Sequence, residues 1–106
     1  MLRVRMLRVQ PDRVEQLRAW FRELGARRSE VLATFEQEGT RAEAVHLLSG
    51  AEGLVLVYVM EVDDLEKAQR AFAASTLPID AEHKRVMKAC CDGSVVSELL
   101  FECSPS

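Results

Sequence analysis

The sequence has 106 residues, of which 48% are hydrophobic and 29% are charged, and its formal net charge is -3. This composition is typical of one globular domain and excludes an intrinsically disordered chain. No apolar run approaches the ~20 residues that a membrane span needs, and residues 1–5 lack the apolar block of a signal peptide. We therefore expect a cytoplasmic protein without a membrane partner.

Cysteine spacing and charge distribution limit the possible ligands. Cys90 and Cys91 are adjacent and Cys103 stands alone, so no pair has the C-x-x-C spacing of a zinc or redox site. Residues 1–28 hold eight arginines against three acids, but aromatic residues that could stack on bases are nearly absent there. We expect no metal, no cofactor and no nucleic-acid partner, and we interpret the charge asymmetry as pairing within the fold or dimer.

The amino-terminal third predicts a strand followed by one long helix. Residues 2–9 alternate as in a strand, with one slip in phase that suggests a bulge. A capping-box pattern begins at Asp12, and Gly39 stands where a left-handed residue would end a helix. These signals predict a continuous helix over Asp12–Glu38. Gly25, in its middle, indicates a kink or a close approach.

The apolar stripe of this helix contains one arginine. Its residues recur every three or four positions, as on a helix with one buried face, and Arg28 falls near the centre. A buried arginine needs a protein carboxylate, a ligand anion or solvent to meet its charge. An internal pair with Glu43 or Asp80, or a snorkelled side chain, is the commoner alternative to a ligand site. The stripe comprises Val14, Leu17, Phe21, Leu24, Arg28, Val31, Leu32 and Phe35.

The rest of the chain predicts three more strands and two helices. Strands are expected over 41–48, 54–62 and 95–103, with helices over 63–75 and 79–91. This order is that of an α+β, ferredoxin-like βαββαβ domain over residues 1–103, with a four-stranded antiparallel sheet and helices on one face. We expect residues 104–106 to be a frayed tail.

The strand over 54–62 is apolar on both faces. The helices of so small a domain can cover only one face of a sheet, so the other face needs a second cover. A second copy of the same sheet is the simplest cover, and we therefore expect a homodimer. Leu54, Leu56, Tyr58 and Met60 form one face, and Val55, Val57 and Val59 form the other.

The order and length of these elements resemble the dimeric α/β-barrel superfamily, in which two ferredoxin-like domains pack sheet to sheet. Its members include cofactor-free monooxygenases, haem-degrading enzymes and L-rhamnose mutarotases. The segments RAWFRELGARRSEVLATFEQEG (18–39) and PIDAEHKRVM (78–87) are similar to those of an uncharacterised bacterial family within it.

A more distant similarity links the ending SVVSELLFEC (94–103) to the last strand of the mutarotases. That family has a tyrosine and a histidine on the first helix, and a tryptophan pair before the later helix. This sequence has Trp20, Leu24 and Ile79-Asp80 at the corresponding positions. The acid and base that would open and close a sugar ring are missing, so mutarotase activity is not expected.

Four residues are candidates to line a pocket between the first helix and the sheet, where the superfamily usually has one: Leu24, Arg28, Tyr58 and His83. His83 follows Asp80 by one helical turn, and the carboxylate could raise the imidazole pKa and make a general acid or base. The alternative is that Asp80 caps the helix and His83 is a core histidine. Tyr58 could donate to a ligand, although a core tyrosine is commoner.

Two functions of different class remain open. One is a cofactor-free enzyme for a small anionic or oxygenated organic compound, with His83 moving a proton and Arg28 steadying negative charge. The other is a non-catalytic module that binds a small ligand or only dimerises. An enzyme would hold Arg28 and His83 at one cavity, whereas in a structural module the space under the first helix would be filled.

Overall fold

A computed structural model describes residues 1–105 of the chain. No helix in this range is long and apolar enough to cross a membrane. A short 3-10 turn, Pro11–Arg13, separates the first strand from the first helix. The other elements are β1 (Leu2–Val9), α1 (Val14–Ala26), α2 (Arg28–Glu38), β2 (Thr40–Gly50), β3 (Gly53–Val62), α3 (Leu65–Ala74), α4 (Pro78–Cys90) and β4 (Cys91–Val95).

The four strands form one open antiparallel sheet in the order β2-β3-β1-β4. The central strands β1 and β3 pair along their whole length, from Leu2 opposite Glu61 to Val9 opposite Leu54. β4 pairs only with the second half of β1, from Met6 onward. The outer sides of β2 and β4 are therefore the two edges of the sheet. The predicted α+β class and the four-stranded antiparallel sheet are confirmed.

The predicted long helix is broken at Arg27, so the expectation of one continuous helix is corrected. Arg27 has φ -110° and ψ 45°, which ends α1 and begins α2, and its N–H donates to the carbonyls of Glu23 and Leu24. The break lies two residues beyond Gly25. Gly39 ends α2 in the left-handed conformation, with φ 74°, as its position predicted.

The hydrophobic core lies between one face of the sheet and the helices. Burying each large side chain contributes about 1.5–3 kcal/mol. Leu17 of α1 and Cys90 of α4 are almost fully enclosed because they meet the sheet directly. The buried cluster comprises Leu7, Val9, Leu17, Leu56, Tyr58 and Cys90.

The opposite face of the sheet, which we call the outer face, is mostly apolar, although it also carries Arg8, His46 and Glu61, and it has no cover within residues 1–105. Leu2 and Val4 of β1 are 53% and 46% exposed, and Leu48 of β2 is 52% exposed. As the sequence predicted, β3 presents apolar side chains to both faces of the sheet. The outer face also contains Met6 and the half-buried valines of β3, Val55, Val57 and Val59.

The end of the chain departs from the prediction. A strand was expected over 95–103, but β4 ends at Val95 and residues 96–105, the C-terminal segment, have no regular secondary structure. A strand needs a neighbouring backbone, and this segment contacts β1 only through side chains. Ser97 Oγ donates to the Val4 carbonyl at 3.5 Å, and the Leu2 N–H donates to the Glu102 carboxylate at 3.1 Å. Of the predicted frayed tail, Ser106 lies outside the described residues.

A pair of glycine substitutions tests this backbone. Gly39→Ala should lower the free energy of unfolding by ~1–2 kcal/mol because a side chain disfavours positive φ. Gly25→Ala should raise it by ~0.5–1 kcal/mol, since Gly25 is helical and a methyl group there meets open space. Urea unfolding of both variants measures the difference. Equal effects of the two substitutions would contradict the assignment of the cap.

Candidate functional site

His83 lies at the centre of a chain of hydrogen bonds beneath α1. Trp20 Nε1 donates to His83 Nδ1 at 2.8 Å, and His83 Nε2 lies 2.8 Å from the Tyr58 hydroxyl. Because an indole N–H can only donate, Nδ1 must accept, and neutral His83 carries its proton on Nε2. His83 therefore donates to Tyr58, whose hydroxyl donates in turn to Met87 Sδ at 3.1 Å.

Aromatic rings enclose this imidazole on several sides. Trp20 follows Leu17 by three positions on the buried side of α1, so the helix directs both toward the core. Tyr58 reaches His83 from β3, and Phe72 reaches it from α3. The centroids of four rings lie 5.9–6.2 Å from that of His83, and three of the four meet it edge to face: Phe21, Tyr58 and Phe72, with Trp20 tilted.

The burial of His83 and Tyr58 shifts the pKa of each side chain so that both are uncharged near neutral pH. Burial lowers the pKa of His83 to about 4, and the positive charge of Arg5 lowers it further. Burial also raises the pKa of Tyr58 well above its usual range, and the negative charge of Glu43 adds to this effect. The histidine pKa is thus lowered, where the sequence suggested that Asp80 would raise it.

The predicted catalytic role of His83 stays a prediction. In this arrangement its one lone pair is taken by Trp20, and its one proton is directed at Tyr58. The alternative of a core histidine accounts for all of these contacts. The associated prediction that Asp80 caps α4 is wrong, because Leu77 is the N-cap and no side chain bonds there. Asp80 is nevertheless buried, at 5% exposure.

The structure does not bring Arg28 to this cluster. Arg28 is the first residue of α2, its side chain is exposed, and it has no ion pair or hydrogen bond with residues 1–105. Because α1 ends at Ala26 and a separate helix begins at Arg28, the stripe is not continuous across the break. Leu24 is half-buried at the end of α1. Of the predicted site residues, Tyr58 and His83 are in contact, and the ligand-binding roles of Arg28, Tyr58 and Leu24 stay predictions.

Arg27, which the sequence reasoning missed, makes the ionic contacts instead. Its guanidinium lies 2.7 Å from carboxylate oxygens of both Glu30 and Glu82, and 6.0 Å from the Trp20 ring centroid. These hydrogen bonds raise the pKa of Arg27 and lower the pKa of both carboxyls. The i, i+3 spacing to Glu30 and the i, i+4 spacing to Glu23, whose carboxylate lies 3.7 Å from the guanidinium, signal this role in the sequence. The pair with Glu82 attaches the helix break to α4.

Glu43 is a second residue whose role the sequence did not indicate. It lies on β2 opposite Met60, on the side that faces the helices. Glu43 is an exposed residue of this edge strand, but neighbouring protein atoms keep water from part of its carboxyl group. This burial, with the negative charge of Glu38, raises the pKa of Glu43 to about 7. A carboxyl that titrates near neutrality can accept or donate a proton under ordinary conditions.

Two surface recesses lie away from His83 within residues 1–105. One, of about 470 Å³, is at the hairpin between β2 and β3, next to Leu48 and Val55. The other, of about 200 Å³, is between α2 and the start of α4, next to Ala33 and Pro78. Neither is lined by a predicted site residue. In the same range, no three His, Cys, Asp or Glu residues are grouped so that they could hold a metal ion.

Comparison with known proteins adds a family but no activity. The model of a family of unknown function, DUF6176, matches residues 2–104, which is nearly the whole chain. No curated protein matches the sequence, and no solved structure matches it.

The pH dependence of stability tests the environment of His83. Its pKa is lower in the folded chain than the usual 6.5, so the unfolded chain binds the proton more readily. The stabilisation is complete above pH 6.5 and is lost as the pH falls toward 4. Relative to a His83→Gln variant, the wild type should lose ~3 kcal/mol over this interval.

Urea unfolding at pH 7, 5.5 and 4 measures this difference. Gln69→His is the matched control, because it adds an exposed imidazole on α3 and leaves the Trp20–His83–Tyr58 chain intact. Parallel pH profiles for the wild type and His83→Gln would show that His83 is not held neutral by burial.

Proposed function

The chain belongs to the family of unknown function DUF6176, and from its geometry we propose that it acts as a homodimer whose subunits pack sheet to sheet. Each subunit would be a ferredoxin-like βαββαβ domain, and the pair would form a dimeric α/β barrel. The strand order β2-β3-β1-β4 supports the ferredoxin-like topology. The observation that carries the dimer is the uncovered apolar outer face.

The outer face is suited to pairing with itself. A C2 dimer brings the same patch of two subunits together, so an apolar patch meets an apolar patch. Leu2, Val4 and Leu48 are each about half exposed in one chain. Their burial would contribute ~25 cal/mol for each Å² removed from water. We also place the dimer in the cytoplasm, a location that the three free cysteines support.

A core filled beneath α1 favours the non-catalytic form of this proposal. Trp20, Tyr58 and His83 occupy the space under the helix and use their polar atoms on one another. A structural module needs such a satisfied layer, because buried polar groups without partners would destabilise it. Dimerisation by itself is therefore the function that this geometry supports best.

Glu43 favours a second candidate, a cofactor-free enzyme for a small anionic or oxygenated compound. Its carboxyl has a pKa of about 7, so it could exchange a proton with a substrate. Arg5 lies on the same side of the sheet, opposite Tyr58, and has no ion pair or hydrogen bond with residues 1–105. Its guanidinium would hold a substrate anion, the role that the sequence suggested for Arg28.

A charge at the centre of the outer face tests the dimer. Val57 lies between Met6 and His46 in the sheet and is half-buried. We expect the wild type to have the mass of two 11.9-kDa chains at micromolar concentration. Val57→Glu would bury an unpaired carboxylate there, so its dissociation constant should rise ~100-fold or more. Light scattering and sedimentation equilibrium measure both quantities.

The control for this experiment introduces the same charge elsewhere. Gln37→Glu alters an exposed position on α2 and should leave the dimer intact. Circular dichroism of Val57→Glu checks that the monomer is folded. A wild-type protein that sediments as a single 11.9-kDa chain would refute the proposed dimer.

Titration of Glu43 tests the second candidate. Its side-chain carboxyl resonance, identified by its loss in Glu43→Gln, should titrate with a midpoint near pH 7 in NMR spectra. A midpoint near ~4.3, the value of a solvated glutamate, would remove Glu43 as an acid or base at neutral pH.

A further inference from the structure

A histidine lies within the otherwise mostly apolar outer face of the sheet. The chain has two histidines, and of these His46 is the one on the outer face. It lies on β2 directly opposite Val57, and its side chain is exposed. Its neighbours on the same side of β2 are Ala44 and Leu48, which carry no charge. An ionisable ring therefore stands inside the surface that carries the proposed dimer.

The outer face has no acid that is free to pair with a protonated His46. Glu61 is the one carboxylate that the paired strands direct to this face. It lies four residues from Val57 along β3, a distance of ~13 Å. Its carboxylate already accepts a hydrogen bond from the amino group of Met1 at 2.9 Å. The imidazole of His46 itself makes no hydrogen bond or ion pair with residues 1–105.

The other unpaired strand charge of the outer face is positive. Arg8 of β1 points to this side and has no ion pair within the described part of the chain. The outer-face residues of β1 pair on β4 with Gly93 and Val95, which are uncharged. Beyond β4, at the edge opposite to β2, the C-terminal segment adds Glu98 and Glu102, and Glu102 is already bonded to the first residues of β1. A proton on His46 would therefore add an unbalanced positive charge to the face.

Sheet-to-sheet packing would remove this ring from water. A neutral imidazole can enter an apolar interface, whereas an unpaired imidazolium is strongly disfavoured there, because loss of hydration penalises the charged form. Histidine side chains in water gain a proton as the pH falls through about 6.5. Since the separate subunit would bind this proton more readily than the dimer, a fall in pH shifts the equilibrium toward separate subunits.

We propose that His46 makes the homodimer proton-sensitive, so that the subunits associate while its imidazole is neutral and separate when it is protonated. This inference rests on the proposed dimer and assigns to it a means of regulation. Each dimer would contain two such rings, because a two-fold axis presents the same face twice. The dissociation constant would then rise as the inverse square of the neutral fraction, which is a steeper response than one histidine gives.

The other groups that titrate in this pH range lie on the helix side of the sheet. His83 is in the core, and burial lowers its pKa to about 4. Glu43 has a pKa of about 7, but it is on the opposite side of β2 from His46. Because His83 remains neutral at pH 5.5, we expect each subunit to stay folded there. Dissociation of the dimer would thus be separate from acid unfolding.

Sedimentation equilibrium of the full-length wild type at pH 7.5, 6.5 and 5.5 tests the proposal. The dissociation constant of the dimer should rise ~10- to 100-fold between pH 7.5 and 5.5. At pH 5.5 an ordinary imidazole is protonated about tenfold more often than it is neutral, and the square of this ratio gives the upper value. Circular dichroism at each pH checks that the subunits remain folded.

Substitutions at the same position assign the effect to the imidazole. His46→Gln keeps a neutral polar side chain and should give a dimer whose dissociation constant is the same at pH 7.5 and 5.5. His46→Leu, a second neutral variant, should also be dimeric at both pH values. The matched control moves the imidazole: His46→Gln with Gln69→His keeps two histidines but places one on the exposed side of α3, and it should not restore the pH dependence.

The outcomes separate this inference from the dimer itself. A wild type that is a single chain at pH 7.5 would overturn both. A dimer whose dissociation constant is equal at pH 7.5 and 5.5 would overturn the role of His46 and leave the dimer standing. A pH dependence that persists in His46→Gln would assign the effect to another group and overturn the inference. Tighter association at pH 5.5 would show that a carboxylate across the interface meets the imidazolium, which would overturn it as well.

Discussion

The feature on which the rest of the structure depends is a sheet that is apolar on both faces but covered on one. The helices pack on the face that carries Leu7, Leu56 and Tyr58, and residues 1–105 provide no second layer for the outer face. The C-terminal segment is likewise apolar and exposed, because a single subunit offers its side chains no cover. One domain of this size therefore leaves two apolar surfaces that a second copy can bury together.

The break at Arg27 determines what lies beneath the helices. Arg27, at the break, pairs with Glu82 and so holds α1 against α4. Its guanidinium lies near the Trp20 ring, and the indole N–H of Trp20 donates to His83. The same break turns Arg28 toward solvent. The space under α1 is consequently filled by rings, and the polar groups left for a ligand lie nearer the start of β1, at Arg5 and across the sheet at Glu43. Dimerisation and ligand binding would therefore use opposite faces of the sheet.

Periodicity predicted the class, the sheet and the cap at Gly39, because each depends on residues close in sequence. It indicated a kink at Gly25 but not the full break two residues later at Arg27, because the stabilising Glu82 is distant in the chain. Periodicity also predicted a strand beyond Val95 that did not form, because an alternating sequence becomes a strand only where a neighbouring strand pairs with it. Tyr58 and His83 were predicted to share one space, and they do. The pKa of Glu43 depends on tertiary burial, which no local pattern encodes.

Loss of contact with water acts in opposite directions on two titratable groups, His83 beneath α1 and Glu43 on the edge strand β2. It lowers the pKa of His83 to about 4 and raises that of Glu43 to about 7, so both are neutral over the interval between. The stabilisation due to Glu43 is complete below the usual carboxyl pKa and is lost as the pH rises toward 7, whereas that due to His83 is lost as the pH falls. The two slopes therefore oppose each other over this interval. A neutral interior of this kind tolerates the charge of Arg5 at its margin, and an anion bound there would meet no competing carboxylate from Glu43 until the pH exceeds about 7.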